Sequence, residues 1–169
     1  SVVFCRYTIP NIEQNDHRLN NKLTGGELYE IGCYPISILF FLYNLDKKKL
    51  QNTHISHINL KNKQLIYFKY NKIKFILSWG YDSIYRNRII FKNKNITLIG
   101  DKLFGKRLTD KVDIKIRKKN LVKKIDFLNS DNFYYMFKYF FSLKNNLLNR
   151  NLMYREIYKV SELINYFKS

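Results

Sequence analysis

The sequence predicts an α+β fold, in which a small, mostly antiparallel sheet with a packed helix precedes a C-terminal helical hairpin extension. Three observations support this prediction. Apolar and aromatic residues alternate with polar ones between residues 64 and 99, as in half-buried strands. A basic amphipathic pattern follows from Asp101 to Val112, and apolar residues recur at helical spacing beyond residue 131. The hydrophobic content of 46% in 169 residues is enough for a buried core.

Turn residues separate the predicted strands. Residues 64–70 and 73–79 predict a hairpin around Asn71 and Lys72, which Gly80 ends. Residues 86–91 and 96–99 predict two further strands, joined by a polar turn and closed at Gly100. Residues 113–117 predict a final strand or an extended arm.

Two stripes of apolar residues at helical spacing predict two C-terminal helices. Ser130 or Asp131 is a natural N-cap for the first helix. The stripes recur at helical spacing: Phe133, Met136, Phe137, Phe140 and Phe141, then Ile157, Val160, Ile164 and Phe167. Such aromatic stripes are typical of packing faces.

The chain divides into three predicted parts: an N-terminal region of uncertain topology (1–60), an RNA-binding α+β domain (61–120) and a helical extension (121–169). The longest apolar run, residues 32–45, is interrupted by Pro35 and Asn44. A membrane-spanning helix needs about 20 apolar residues, so this run is interpreted as a core segment and not as a membrane span. Cys5 and Cys33 are interpreted as small buried hydrophobic residues.

The charge points to an anionic partner. The chain carries 31 Lys and Arg against 13 Asp and Glu, a formal net charge of +18. Nucleic acid, an anionic membrane surface and an acidic protein are the three candidates, and basic residues along the whole chain favour nucleic acid. The chain contains no alanine and is rich in Lys, Asn, Ile, Phe and Tyr, which indicates an AT-rich gene. This composition favours a mitochondrial product, with a plastid-like organelle as the alternative, and codon bias accounts for part of the charge.

No catalytic constellation stands out. The sequence contains no G-x-x-x-x-G-K-[ST], G-x-G-x-x-G or G-x-S-x-G motif, and its acidic residues are scattered. His54 and His57 have metal-ligand spacing but no accompanying ligand motif. We therefore expect no enzyme activity, no catalytic residue, no metal, no cofactor and no small-molecule substrate.

Two segments resemble a known family. Residues 74–83, K-F-I-L-S-W-G-Y-D-S, are similar to the strand ending in L-x-L-G-Y-S-H of the universal large-subunit ribosomal protein L-six. Residues 96–105 resemble that family's I-x-V-x-G-x-D-K-x-x-V-G, with two single-residue deletions. Asp82 and Ser83 replace the family's Ser-His pair, Ile84 stands where Pro is usual, and the C-terminal Y-K-G-K-G loop is missing.

This resemblance implies a structural constituent of the organellar, mitochondrial large ribosomal subunit. It would bind ribosomal RNA near the sarcin-ricin loop and the factor-binding region, and its C-terminal helices would pack on neighbouring ribosomal proteins. The motif match places Lys102 at a turn facing RNA. Local charge adds the other candidate RNA-binding residues: Lys72, Lys74, Arg86, Arg88, Lys106, Arg107, Lys111, Arg117, Lys118 and Lys119.

Two other classes stay open. The chain could be a peripheral accessory subunit of an organelle respiratory membrane complex, whose partners would explain the aromatic helices. It could also be an RNA-processing enzyme with a degenerate site.

Overall fold

The computed structural model describes residues 1–60, 63–82, 84–104, 112–119, 121–127, 132–144 and 146–168. These ranges contain eight strands: β1 (Val2–Pro10), β2 (Ile55–Leu60), β3 (Lys63–Tyr70), β4 (Ile73–Asp82), β5 (Arg86–Lys92), β6 (Ile96–Asp101), β7 (Val112–Lys118) and β8 (Leu121–Phe127). All eight form one sheet in the order β2-β3-β4-β1-β5-β6-β7-β8.

Short helical segments fill the connection between β1 and β2. They are a 3₁₀ turn (His17–Leu19), α1 (Asn21–Thr24), a π-helical turn (Leu28–Gly32), α2 (Cys33–Tyr43) and α3 (Lys47–Leu50). Two longer helices follow β8: α4 (Asn132–Ser142) and α5 (Leu147–Tyr166). Among the described helices, none combines the length and apolar character needed to cross a membrane.

The first strand lies in the interior of the sheet. In β1, Cys5 is opposite Leu77 of the parallel strand β4 and opposite Ile89 of the antiparallel strand β5. The other neighbouring pairs are antiparallel. Parallel strands cannot be joined by a tight turn, so the helical connection after β1 crosses over the sheet before the chain returns to β4.

The predicted fold class is therefore wrong. The sheet is a mixed sheet of eight strands, not a small antiparallel one. The physical reason is that the residues before position 60, which looked irregular, supply an interior strand and the helices that cover it. A strand partner 72 positions away in sequence, such as Lys74 for Val2, leaves no local pattern from which pairing can be predicted.

The hydrophobic core lies on one face of the sheet. Side chains alternate along a strand, and Val3, Cys5 and Tyr7 of β1 point to the same buried layer. The strands β3, β4 and β5 add Ile66, Phe68, Phe75, Leu77, Trp79 and Ile89. From the helical side, α2 contributes Ile36 and Leu39, and the C-terminal end of α5 contributes Leu163, Ile164 and Phe167.

The apolar run at residues 32–45 is largely α2. This helix ends at Asn44, whose φ of 50° is left-handed and whose backbone N–H donates to the carbonyl of Phe40 at 2.8 Å. Its interpretation as a core segment is confirmed, because Pro35, Ile36 and Leu39 are buried against the sheet.

Several predicted elements are confirmed. The hairpin of β3 and β4 turns at Asn71 and Lys72, both with positive φ, as a two-residue turn requires. The strands near residues 86–91 and 96–99, the strand option at 113–117 and both C-terminal helices are also present. The predicted helix from Asp101 to Val112 falls largely on residues 105–111, which lie outside the described ranges.

Candidate functional site

The carboxyl ends of β1 and β4 meet at one edge of the sheet, because these two strands run parallel. Thr8 lies opposite Gly80 at this edge, and β5 begins there with Arg86 opposite Thr8. β6 ends there as well, since its Asp101 pairs with Arg88. We call this end of the sheet the carboxyl edge. Ligands of sheets with parallel strands commonly bind outside the carboxyl ends of those strands.

Four aromatic side chains gather at the carboxyl edge: Tyr7, Tyr34, Tyr85 and Phe104, here called the tyrosine cluster. The ring centroids of Tyr7 and Tyr34 are 4.4 Å apart, and Phe104 lies 5.7 Å from each of them. Tyr85 stands edge-on to Tyr7 at 6.1 Å. Tyr7 is 8% exposed, whereas Tyr34 and Tyr85 are 36% and 41% exposed, so the last two can be reached by a ligand.

The π-helical turn places Tyr34 in this cluster. Tyr34 is the second residue of α2, directly after that turn. Pro35 has no backbone N–H, so the regular helical bond to the fourth residue before it cannot form. Such widened turns are frequent at functional sites. Gly32 lets the turn approach the sheet closely, since a Cβ there would lie 2.9 Å from Cε2 of Trp79.

Glu30 joins the same turn to the end of β4. The hydroxyl of Tyr81 donates a 2.7 Å hydrogen bond to Oε2 of Glu30, and Nε of Arg18 lies 3.9 Å from Oε1. Burial, followed by this hydrogen bond, raises the pKa of Tyr81 above its ordinary range. Nη2 of Arg18 also contacts Oδ2 of Asp16 at 2.6 Å, and hydrogen bonding to Arg18 lowers the pKa of Asp16.

Asn87 fixes the opposite wall of the cluster. Its side chain is buried and donates through Nδ2 to the hydroxyl of Tyr85 at 3.0 Å and to the carbonyl of Phe104. Its Oδ1 accepts the backbone N–H of Phe104 at 3.0 Å, and its carbonyl accepts the N–H of Lys102 at 2.7 Å. One buried amide therefore holds both Tyr85 and the segment after β6.

Burial raises the pKa of two phenols in the cluster, those of Tyr7 and Tyr34. Burial, followed by the neighbouring Tyr85, raises the pKa of Tyr7. Burial, followed by Cys33, Tyr85 and Glu30, raises the pKa of Tyr34. A protonated phenol that remains partly exposed, as Tyr34 does, can donate a hydrogen bond or a proton to a bound oxygen atom.

The basic residues predicted to bind RNA do not form one patch. Lys72 and Lys74 lie at the β3–β4 turn, and Arg117, Lys118 and Lys119 lie where β7 ends, at the end of the sheet opposite the carboxyl edge. Four strand spacings separate β4 from β7, which is roughly 19 Å.

The other described candidates are at or near the carboxyl edge. Arg86 and Lys102 are exposed there. Arg88 forms a two-pronged ion pair with Asp101, with Nη2 3.0 Å from Oδ2. Lys106, Arg107 and Lys111 lie outside the described residues. A binding role for this set stays a prediction.

The sequence reasoning missed Tyr34, Glu30 and Asn87. A signal was present for the first two, because they are a phenol and a carboxylate within a largely apolar segment next to Pro35. Asn87 carried no signal, since Asn is common throughout this chain and its contacts with residues 17 positions away appear only in the fold.

The described residues include neither a metal-binding cluster nor a Gly-rich phosphate-binding turn. Within the described ranges, His, Cys, Asp and Glu form no cluster of three that could hold a metal ion. A nicotinamide dinucleotide needs a Gly-rich turn that opens a helix beneath its phosphates. The sequence has no G-x-G-x-x-G motif, and the helix α2 begins after a π-helical turn that is packed against Trp79. The described helices therefore show no such phosphate-binding turn.

No protein-family model matches the sequence, and no curated protein matches it significantly. Solved structures do share the fold. KijD10, a 3-ketoreductase from Actinomadura kijaniata in complex with NADP and TDP-benzene, is similar at a TM-score of 0.71 and 18% identity, over 84% of this chain and 45% of that chain. A Tyr-to-Phe variant of the same enzyme is similar at a TM-score of 0.72 and 14% identity, over 98% of this chain and 50% of that chain. A putative oxidoreductase from Thermotoga maritima is similar at a TM-score of 0.60 and 10% identity, over 99% of this chain and 49% of that chain.

This chain spans about half the length of the solved structures it matches. The identities are low, so the likeness establishes the fold.

These matches overturn the resemblance to ribosomal protein L-six, because the fold is one found in oxidoreductases. The predicted ribosomal function, the ribosomal RNA and ribosomal protein partners, and the alternative of a respiratory complex subunit are wrong accordingly. So are the predictions that the chain has no enzyme activity and no small-molecule substrate.

The two segments behind that resemblance are strands that end near glycines and turns, a pattern that unrelated sheets share. In this fold, residues 74–83 belong largely to the interior strand β4, and Asp101 pairs with Arg88. The mitochondrial location stays a prediction.

Proposed function

We propose that this chain forms the substrate-binding sheet of an NADP-dependent oxidoreductase, and that Tyr34 donates a proton when a carbonyl group is reduced to an alcohol. The observation that carries the proposal is the tyrosine cluster at the carboxyl edge. The supporting comparison is the fold shared with a 3-ketoreductase and with other oxidoreductases.

Carbonyl reduction adds a hydride to carbon and a proton to oxygen. A reduced nicotinamide, when bound, would supply the hydride. The residues of this chain supply the proton. The phenol O–H bond of Tyr34 breaks as the substrate O–H bond forms, which leaves a phenolate at Tyr34. Because Tyr34 is partly exposed, water can return the proton to the phenolate.

The rest of the cluster orients the carbonyl group. Tyr7 and Phe104 pack against the ring of Tyr34 and limit its rotation. Asn87 locks Tyr85 and Phe104, so the walls of the site are fixed before the substrate arrives. A preorganised hydrogen-bond donor stabilises the transition state more than a mobile donor does, because no reorganisation is needed during the reaction.

The charge at the carboxyl edge suits an anionic substrate. KijD10 was solved with TDP-benzene, a nucleoside diphosphate derivative. For this chain we propose a keto sugar carried on a nucleoside diphosphate. Arg86 and Lys102, both exposed at this edge, supply positive charge for the diphosphate.

Binding of TDP to the chain tests the site without the dinucleotide. Calorimetry should detect TDP binding, and Arg86→Gln should weaken it by about tenfold, the loss expected for one charge-assisted contact. Arg155→Gln on α5 is the matched control and should bind like the wild type. Absence of TDP binding, or equal binding by Arg86→Gln, would contradict the proposed substrate class.

A further inference from the structure

The helix α4 carries an exposed apolar stripe. Met136, Phe137, Phe140 and Phe141 are each more than half exposed. Their spacing places them on one side of the helix, whereas Tyr135, Lys138 and Ser142 fall on the other side. We call these four residues the α4 stripe. Single exposed apolar residues are scattered over any protein surface, but four large apolar side chains together on one exposed side of a helix are unusual.

Little in the described part of the chain covers this stripe. No other described helix or strand packs extensively against α4, whereas α5 packs on α2 and α3. The apolar surface continues beyond α4, since Tyr139 shares a pocket of about 460 Å³ with Phe41 of α2 and Ile157 of α5. Large contiguous apolar patches mark sites of protein or membrane interaction.

The part of the sequence that contains the stripe is positively charged. Residues 132–160 contain one acidic residue, Glu156, and five basic ones: Lys138, Lys144, Arg150, Arg155 and Lys159. Lys138 and Lys144 are exposed on α4 and in the turn that follows it. The surface that meets this face should therefore be negatively charged.

The composition favours a lipid surface over a protein partner. Helices that lie in a bilayer surface carry apolar rings on one side and basic side chains on the other, and Lys138 lies on the side of α4 opposite the stripe. At a bilayer the long lysine side chain can extend to the headgroups while neighbouring aromatic rings enter the acyl region. Exposed tyrosines such as Tyr135 and Tyr139 suit the headgroup level. With 11 residues, α4 is too short to span a bilayer, so an α4 that binds lipid would lie in the interface plane.

We propose that α4 attaches this protein to the surface of an anionic lipid bilayer. The α4 stripe inserts among the lipids, and Lys138 and Lys144 contact the phosphates of the headgroups. This site is separate from the carboxyl edge and does not depend on the proposed reductase function.

Co-sedimentation of the full chain with vesicles tests this proposal. We expect binding to vesicles of phosphatidylcholine with phosphatidylglycerol, weaker binding to phosphatidylcholine alone, and loss of binding as salt is raised. The double variant Phe137→Ser/Phe140→Ser should lose at least about tenfold in the partition coefficient. Leu23→Ser, at an exposed leucine of α1, is the matched control and should bind like the wild type.

The depth to which α4 enters the bilayer is measured by fluorescence quenching, with the variant Met136→Trp and lipids that are brominated on their acyl chains. Tryptophan at position 136 should be quenched, while the buried Trp79 should not be. Circular dichroism confirms that each variant folds. The proposal is overturned if the chain does not bind anionic vesicles or if the double variant binds them equally. Self-association through α4 without quenching of the new tryptophan would likewise overturn it and identify a protein interface.

Discussion

The hydroxyl of Tyr81 donates a 2.7 Å hydrogen bond to the carboxylate of Glu30, and this bond joins the end of the interior strand β4 to the π-helical turn. Tyr34 follows Glu30 by four residues, at the start of α2. The strand end, the turn and the candidate proton donor are thus one connected unit. The position of Tyr34 depends on a contact made by two residues that need not touch the substrate.

Loss of the Tyr81 hydroxyl should destabilise this unit. We expect Tyr81→Phe to lower the free energy of unfolding by about 1.5 kcal/mol, because a hydrogen bond to a charged group is lost. In a double-mutant cycle with Glu30→Gln, the coupling energy should be about 1 kcal/mol. Chemical denaturation measures both quantities. Tyr154→Phe on the exposed face of α5 is the control, and a coupling energy of zero would mean that the two side chains act independently.

Stability should fall at alkaline pH. The pKa values of Tyr7 and Tyr81 are raised above the ordinary value of 10.0, so each folded phenol holds its proton at pH values where the unfolded phenol loses it. The stabilising contribution is fully present below pH 10 and declines as the pH rises above it, because the unfolded state then binds fewer protons. Denaturation at a series of pH values should show this decline. Tyr7→Phe should flatten the curve, and an unchanged curve would count against burial of this phenol.

Removal of the Asn87 side chain should loosen the wall of the cluster. Asn87→Ala leaves the backbone N–H and carbonyl of Phe104 without the partners that Asn87 provides, and we expect a loss of about 1 to 3 kcal/mol. Hydrogen exchange should accelerate at the amide of Phe104. Asn149→Ala on α5 is a control for loss of an exposed Asn. If exchange at Phe104 is the same in Asn87→Ala and in the wild type, the amide does not hold this segment.

A methyl group at position 32 should disturb the contact between the turn and the sheet. Gly32→Ala puts a Cβ 2.9 Å from the indole ring of Trp79, so either the turn or the ring must move. Overpacking of this kind costs about 1 to 3 kcal/mol. Trp79 is the single tryptophan of the chain, so its fluorescence reports the change directly. Native-like fluorescence and stability in Gly32→Ala would show that a methyl group fits between the turn and the ring of Trp79.

Sequence patterns predicted the local elements better than their arrangement. The hairpin of β3 and β4 has a two-residue turn at Asn71 and Lys72 between alternating strands, so its pairing is local and predictable. The pairing of β1 with β4 cannot be predicted in this way, since it joins residues more than 70 positions apart through a parallel ladder. A fold class based on the local hairpins therefore missed the mixed sheet.

The candidate site was hidden for a related reason. Tyr7, Tyr34, Tyr85 and Phe104 come from four separate segments, and no spacing in the sequence brings them together. Charge was the strongest signal in the sequence, but Lys74 and Arg117 lie at the end of the sheet opposite the tyrosine cluster. Net charge indicates an anionic environment and does not determine the fold.

The kcat of Tyr34→Phe tests the central claim most directly. The assay follows oxidation of NADPH by the protein in its natural full length, with a nucleoside diphosphate keto sugar as substrate. The proposal predicts that kcat falls by about 100-fold or more, as expected for loss of a general acid, while KM changes little because the ring remains in place. Tyr154→Phe should keep the wild-type kcat. A Tyr34→Phe protein with wild-type kcat would contradict the assignment of Tyr34 as the proton donor.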